Sequence, residues 1–177
     1  MNTFEPLAKI ISYPDANFKK NLGKVLADLK DSNAFEYLDK FDKAIANLNL
    51  ADLEEKYTKT YDIQGQCCLD VGYILFGEDY KRGQFLVEIN RLANEHQIDT
   101  ESELPDHLPN MLKILAKMNE PEKKELIEKT LLPALEKMLE NFGHNNNPFS
   151  LPLKAIETYL HASFNIDRKI FGGPVLC

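Results

Sequence analysis

The stretch SELPDHLPNML, residues 102–112, joins a turn with two prolines to the start of a strongly apolar helix. Beyond the turn, apolar residues recur at the three- and four-residue spacing of a helix with one buried face: Leu108, Met111, Leu112, Leu115 and Met118. Asp106 and His107 stand side by side between the prolines. An acid next to a histidine can serve catalysis, hold a metal ligand in place, or only begin a helix. The stretch therefore predicts a buried helix and one candidate functional turn.

Helical spacing of apolar residues marks most of the remaining chain. Further stripes follow Phe18, Phe35 and Leu50, and no segment alternates convincingly with the two-residue period of a strand. The sequence predicts an all-α fold, a single-domain irregular helical bundle of about 8–10 helices. We expect a helical domain over residues 1–165 and an extended or mobile C-terminal tail over residues 166–177, because the tail contains two glycines and a proline.

Three local features refine this prediction. Residues 66–76, QCCLDVGYILF, are nearly all apolar and predict a helix buried on most sides, with Gly77 as its stop. Pro133 lies inside a helical pattern and should kink or split that helix. Ser150 follows a loop and is predicted to cap the last helix.

The charge of the chain bears on its partners. Its 177 residues carry 21 basic and 28 acidic side chains, a net charge of −7. This charge argues against binding to a nucleic-acid backbone, which requires a basic face. It suits a cationic peptide, or it serves only solubility. No signal-peptide pattern and no apolar run long enough to span a membrane occur, so we expect a cytoplasmic protein.

Metal and thiol chemistry find little support in the sequence. None of the four histidines lies three or four residues from another histidine or a cysteine, and no C-x-x-C pair occurs. Cys67 and Cys68 lie in an apolar segment where burial would raise a thiol pKa, which favours a packing role over a nucleophilic one. Cys177 makes the cysteine count odd, which fits a reducing compartment. We therefore predict no metal, no cofactor and no catalytic residue.

The Asp106–His107 pair is interpreted first as a helix start. The carboxylate of Asp106 is placed to accept from free N–H groups in the first turn of the following helix. His107 would lie in that turn, near the positive end of the helix. Adjacent residues at a helix start do not face each other, and the sequence offers no evident acid partner for His107. The pair is therefore predicted to cap the helix rather than to form an acid–base dyad.

Aromatic residues between 57 and 76 allow a second interpretation, a groove for a polypeptide. Such a groove needs apolar or aromatic walls and an acidic rim. The aromatic residues concerned are Tyr57, Tyr61, Tyr73 and Phe76. Aromatic residues at helical spacing also fit a core, so the sequence permits this groove without requiring it.

Two motifs resemble a known family. ELPDHLP at 103–109 strongly resembles the signature of the nitrate reductase delta-subunit family, the NarJ-type assembly chaperones, within the wider TorD/DmsD group of redox-enzyme maturation proteins. The segment 57–89 resembles the family's central region, and ISYPD at 11–15 resembles its early turn. The resemblance covers roughly residues 5–165. Tyr61 departs mildly from the pattern, which usually has phenylalanine before the aspartate of the central motif.

The resemblance implies an all-helical chaperone that is not an enzyme. Such proteins bind the N-terminal leader of the catalytic subunit of a molybdoenzyme, here a nitrate reductase or a close relative. They hold that subunit competent while the molybdenum cofactor and iron–sulfur clusters are inserted. The resemblance implies a leader-binding surface built from Tyr57, Tyr61 and Asp62 with Asp106 and His107, in a turn shaped by Glu103, Leu104, Pro105, Leu108 and Pro109.

Other readings stay open at this point. The default oligomeric state is a monomer, and a domain-swapped dimer with a hinge near Pro133 is the alternative. One alternative function is a generic helical adaptor without such clients, which would need a different partner. The other is a small cysteine- or metal-dependent hydrolase, which would need an activity.

Overall fold

The computed structural model describes residues 3–62, 65–144 and 146–167. Within these ranges the chain forms ten α-helices, one π-helical turn and a single isolated bridge between two residues, so the predicted all-α bundle and its helix number are confirmed. The helices are α1 (Phe4–Ile11), α2 (Phe18–Asp28), α3 (Phe35–Ile45), α4 (Leu50–Tyr61), α5 (Val71–Phe76), α6 (Tyr80–Glu95), α7 (Leu108–Lys117), α8 (Glu120–Leu126), α9 (Leu132–Glu140) and α10 (Ser150–Phe164). In these ranges, no helix is both long and apolar enough to cross a bilayer. The predicted tail falls outside the described residues from residue 168 onward.

The helix α7 is buried along most of its length, as its apolar stripe predicts. Leu108, Met111, Leu112 and Leu115 are inaccessible to solvent. The helix α1 packs along α7, and α10 packs against both α3 and α9. Burial of this stripe removes apolar surface from water, at about 25 cal/mol per Å², and so anchors the turn that precedes α7.

The helix α1 is absent from the sequence prediction, which places the first apolar stripe after Phe18. It has only eight residues and carries Pro6 in its first turn. A helix this short is marginal in isolation, so its formation depends on packing. Here Leu7 and Ile11 are buried in the core, and that packing supplies the missing stability.

The predicted helix over residues 66–76 is wrong in its first half. The helix begins only at Val71, and the residues before it run alongside the turn that precedes α7. The N–H of Val71 donates to the carbonyl of Asp106 over 3.0 Å, and the N–H of Leu108 donates to the carbonyl of Leu69 over 2.9 Å. These tertiary hydrogen bonds replace helical ones. The predicted stop at Gly77 is confirmed, with a left-handed φ of 61°.

The break predicted at Pro133 is confirmed. A π-helical turn over Ile127–Leu131 separates α8 from α9, and the proline falls in the first turn of α9. The N–H of Leu132 bonds to the carbonyl of Ile127, five residues back instead of four. Because proline has no N–H and its ring collides with the preceding turn of a regular helix, the wider turn accommodates it.

The predicted cap at Ser150 is wrong. Ser150 is the first residue of α10, and its hydroxyl donates to the carbonyl of Asn147 over 3.0 Å. The side chain of Asn147 accepts from the N–H of Phe149 over 3.0 Å. The start of α10 is therefore organised by an asparagine turn rather than by the serine.

Candidate functional site

A groove of about 560 Å³ opens between the turn after α1, the end of α4 and the segment that leads into α7. We call it the α4 groove. Among its lining residues are Tyr13, Tyr57, Tyr61, Asp62, Asp70, Glu101, Glu103, His107, Pro109 and Lys113. The groove brings together residues 57–62 and 103–109, the two stretches that the sequence analysis selected, which lie some forty residues apart in the chain.

The tyrosines of α4 form the floor of the groove, and their hydrogen bonds to distant segments fix the position of the helix. The hydroxyl of Tyr57 donates to the carbonyl of Ile11 over 3.0 Å, and that of Tyr61 donates to the carbonyl of Phe149. Their rings meet edge to face, with centroids 5.0 Å apart. Burial raises the pKa of both phenols, so they remain protonated donors. Both side chains are mainly core residues whose edges reach the groove.

Tyr13 adds an exposed wall that the sequence analysis missed. It follows α1, its ring meets that of Tyr57 edge to face at 5.4 Å, and it is 56% exposed. An aromatic ring that packs on one side and stays open on the other is suited to contact a ligand.

Asp106 does not cap the helix that follows it, which corrects the sequence prediction. It is completely buried, and its Oδ2 accepts from the N–H of Gly72 over 2.9 Å, in the first turn of α5. The residue at the start of α7 is His107, which makes no side-chain cap. Burial raises the pKa of Asp106. The carboxyl thus ties the turn to a helix that lies more than thirty residues earlier in the chain.

His107 has an acid partner after all. Its Nδ1 lies 3.0 Å from Oδ1 of Asp70, which stands 37 residues before it in the chain. A guanidinium nitrogen of Arg82 lies 3.6 Å from the other carboxylate oxygen, and the guanidinium also covers the ring of Tyr73 at 5.2 Å. The side chains of His107 and Asp70 are 14% and 19% exposed. The histidine is therefore held by this cluster at the wall of the groove, partly open to it.

The predicted site residues separate into two groups. Six line the α4 groove: Tyr57, Tyr61, Asp62, Glu103, His107 and Pro109. The other six lie elsewhere. Asp106 and Leu108 are buried beneath the turn, Leu104 is exposed and Pro105 is partly buried. On α5, Tyr73 is exposed beside Arg82, while Phe76 lines a different groove.

The α4 groove is acidic. Among the described residues that line it, Asp62, Asp70, Glu101 and Glu103 carry carboxylates and Lys113 carries an ammonium group. Lys113 lies 3.3 Å from Glu101 and is engaged by it. Asp70, Glu101 and Lys113 were missed from the sequence, because nothing in the spacing of the chain indicates that they meet here. A cationic group is the natural charge complement of this lining.

Metal-binding side chains and two of the thiols can be compared with the sequence analysis within the described ranges. The described ranges contain no cluster of three or more histidine, cysteine, aspartate or glutamate side chains that could hold a metal ion. Burial raises the pKa of the Cys67 thiol to about 12 and also raises that of Cys68. Both thiols therefore stay protonated near neutral pH and are poor nucleophiles.

Comparisons with known proteins agree with the sequence motifs. Residues 27–149 match the family model described as nitrate reductase delta subunit. A relative from Bacillus subtilis (strain 168), the "Probable nitrate reductase molybdenum cofactor assembly chaperone NarJ", is 29% identical over 136 residues. That match covers 73% of this chain and 72% of the relative.

A solved structure shares the fold. The crystal structure of a "putative redox enzyme maturation protein" from Archaeoglobus fulgidus has a TM-score of 0.62 at 19% identity and covers 91% of this chain and 94% of its own. The family model spans well over half of this chain and includes both stretches that build the α4 groove. The chain therefore belongs to the nitrate reductase delta subunit family.

Proposed function

We propose that this protein is an assembly chaperone for a nitrate reductase or a closely related molybdoenzyme. Membership of the delta subunit family and the likeness to the Bacillus subtilis relative support this role, which is not an enzymatic one. Its partner is the catalytic subunit before maturation, and its task is to support insertion of the molybdenum cofactor. We place this work in the cytoplasm.

We propose further that the α4 groove binds the N-terminal leader of the catalytic subunit. The observation that carries this proposal is the convergence of residues 57–62 and 103–109 on one concave, acidic surface. These are the two stretches through which the chain resembles leader-binding chaperones. Two exposed acidic residues of these stretches, Asp62 and Glu103, line the groove, where an incoming peptide would meet them.

The groove offers two kinds of contact to a leader peptide. Tyr13 and the edge of Tyr57 present aromatic surface, which can take an apolar side chain or the face of a cation. Glu103 and Asp62 attract a lysine, an arginine or the terminal amine. A leader that carries basic and apolar residues on one face satisfies both contacts.

Isothermal titration calorimetry with a synthetic leader peptide tests this proposal. The peptide is the N-terminal segment of a nitrate reductase or related molybdoenzyme catalytic subunit from the same organism. We expect the double variant Asp62→Asn, Glu103→Gln to bind about tenfold more weakly, because two rim charges each contribute on the order of 0.5–1 kcal/mol. The loss should be larger at low salt than at high salt, because exposed charges are screened.

The matched control is Glu140→Gln, which removes an exposed carboxylate from the end of α9, away from the groove. It should bind the leader like the unchanged chain. If the rim variant and the control bind equally well, the leader binds elsewhere. If no leader of such a molybdoenzyme binds at tens of micromolar, the hypothesis of a general helical adaptor is favoured over that of a molybdoenzyme chaperone.

A further inference from the structure

The segment before α5 and the turn before α7 pair antiparallel at one position, and this pairing sets Asp70 opposite His107. Backbone hydrogen bonds of 3.0 and 2.9 Å on either side of the pair fix the two residues relative to each other. The backbone thus supports the contact between their side chains, in which Nδ1 of His107 lies 3.0 Å from Oδ1 of Asp70. The imidazole is therefore anchored at one of its two nitrogens.

The carboxylate of Asp70 is itself held in place. A guanidinium nitrogen of Arg82 lies 3.6 Å from its Oδ2, and the same guanidinium packs over the ring of Tyr73 at 5.2 Å. The side chains of Arg82 and Asp70 are 24% and 19% exposed, so salt and solvent screen this ion pair less than an exposed one. Because Arg82 approaches Oδ2, the other oxygen remains to accept a hydrogen bond from the imidazole.

The second ring nitrogen of His107 is the one available to a ligand. In a neutral imidazole one nitrogen carries the hydrogen and donates, and the other accepts. The hydrogen bond that one nitrogen makes decides the role of the other. A carboxylate beside Nδ1 places the hydrogen on Nδ1 and leaves a lone pair on Nε2. Among the described residues Nε2 has no hydrogen-bond partner, and the ring lines the α4 groove.

We infer that Asp70 and Arg82 are positioning residues that hold His107 in its Nδ1–H form, and that Nε2 accepts a hydrogen bond from an N–H group of the bound leader. This inference rests on the proposed leader binding in the α4 groove. The N–H group belongs to the leader backbone or to one of its basic side chains. Nε2 adds a neutral acceptor to a groove whose exposed carboxylates, at Asp62 and Glu103, suit cations.

Nitrogen-15 NMR of the labelled chain at pH 8 tests the position of the hydrogen without any leader. Histidine side-chain spectra distinguish a nitrogen that carries a hydrogen from one that does not, and the variant His107→Asn identifies the signals of His107. We expect the hydrogen on Nδ1. In Asp70→Ala the Nδ1–H form should no longer dominate, because its acceptor is gone. A hydrogen on Nε2 in the unchanged chain, alone or together with one on Nδ1, overturns the inference.

Calorimetry with the leader peptide tests the acceptor through two variants of the same residue. His107→Asn places an amide near the position of Nδ1, so it keeps a donor for Asp70 but has no group at the position of Nε2. His107→Gln places an amide near the position of Nε2 and gives up the bond to Asp70. We expect His107→Asn to bind the leader about threefold to tenfold more weakly, the effect of one hydrogen bond, and His107→Gln to recover part of the loss. A purely structural role of the histidine predicts the reverse order.

A scan of the leader identifies the donor. Its N–H groups are removed one at a time, by N-methylation of the backbone or by norleucine in place of a basic residue. The change that removes the donor should weaken binding to the unchanged chain but not to His107→Asn, and its kind distinguishes a backbone donor from a side-chain donor. The control His96→Asn, at the C-terminal end of α6 and outside the groove lining, should respond like the unchanged chain.

The outcomes separate this inference from the proposed function. A leader that does not bind the unchanged chain contradicts the proposed function and the role of Nε2 together. A leader that binds contradicts only the inference if His107→Asn binds it as well as His107→Gln does or better. The same holds if no change in the leader loses its effect in His107→Asn.

Discussion

The end of α4 and the turn at 103–109 face each other across the α4 groove, but different forces hold them. At the end of α4, aromatic rings pack edge to face, and the hydroxyls of Tyr57 and Tyr61 donate to backbone carbonyls of distant segments. In the turn, a buried carboxyl accepts from the N–H of Gly72, and an ionic cluster holds His107. The wall at the end of α4 is held mainly by burial of apolar surface. The wall at the turn is held by hydrogen bonds and ion pairs between mostly buried polar groups.

The comparison teaches that the most distinctive residue of each stretch makes a buried hydrogen bond within the protein. The hydroxyl of Tyr61 donates to the carbonyl of Phe149, and the carboxyl of Asp106 accepts from the N–H of Gly72. Their exposed neighbours, Asp62 and Glu103, line the groove. Under the proposed leader binding, the motif residues would fix the shape of the surface, and the adjacent exposed residues would contact the leader.

The largest effect is expected from removing the hydrogen bond between Asp106 and the N–H of Gly72. Asp106→Ala should lower the free energy of unfolding by roughly 3 kcal/mol, because the N–H of Gly72 loses its acceptor and a small cavity opens. Asp106→Asn keeps an acceptor of the same shape and should cost far less. Urea denaturation of both variants at pH 7 measures the difference. Equal losses in the two variants would show that the charge, not the hydrogen bond, holds the turn.

The pH dependence of Asp106 sharpens this test. Its pKa is raised by burial, so the folded chain holds this proton more tightly than the unfolded chain does. The resulting stabilisation is fully present below the ordinary pKa of 3.8 and is lost as pH rises through the raised folded-state value. Because Asp106→Asn does not titrate, its stability relative to the unchanged chain should rise with pH across that window. A constant difference from acid to neutral pH would contradict this.

The next effect comes from the close approach of Gly72 to the same carboxyl. A Cβ at this position would lie 2.7 Å from Oδ2 of Asp106 and 2.8 Å from a ring carbon of Phe85. Gly72→Ala should therefore cost about 2 kcal/mol, since both neighbours are packed. Gly83→Ala in α6 is the control, because a Cβ there meets nothing within 4 Å. It should stabilise the chain by about 0.5–1 kcal/mol through helix propensity, and thermal melts rank the two.

The smallest of these effects concerns the aromatic wall. Tyr61→Phe keeps the ring but leaves the carbonyl of Phe149 without this donor, and it should cost about 1.5 kcal/mol. Tyr57→Phe should cost less, because Tyr57 is slightly more exposed. Chemical denaturation measures both. If neither change lowers the free energy of unfolding, the two hydroxyl hydrogen bonds do not stabilise the protein, and ring packing alone holds α4.

Some features of the fold and the site were predictable, and others were not. The buried stripe of α7, the stop at Gly77 and the break at Pro133 follow from local spacing and from backbone chemistry, and all three are observed. The helix α1 escaped prediction because so short a segment is stabilised by its packing on α7, α2 and α10 rather than by its own sequence. The cap at Asp106 was assigned to the wrong helix, since the sequence shows a carboxyl before α7 but not the N–H of Gly72 nearby.

The sequence by itself determined the helical class, the family and the two stretches that build the α4 groove. The helical class depends on spacing along the chain, which a helix translates directly into one buried face. The family and the two stretches depend on the resemblance of their motifs. Only the tertiary structure decided which residues within those stretches face the groove, and that Asp70 meets His107. Such contacts join segments 37 residues apart, and their partners are chosen by packing and by the need to satisfy buried polar groups.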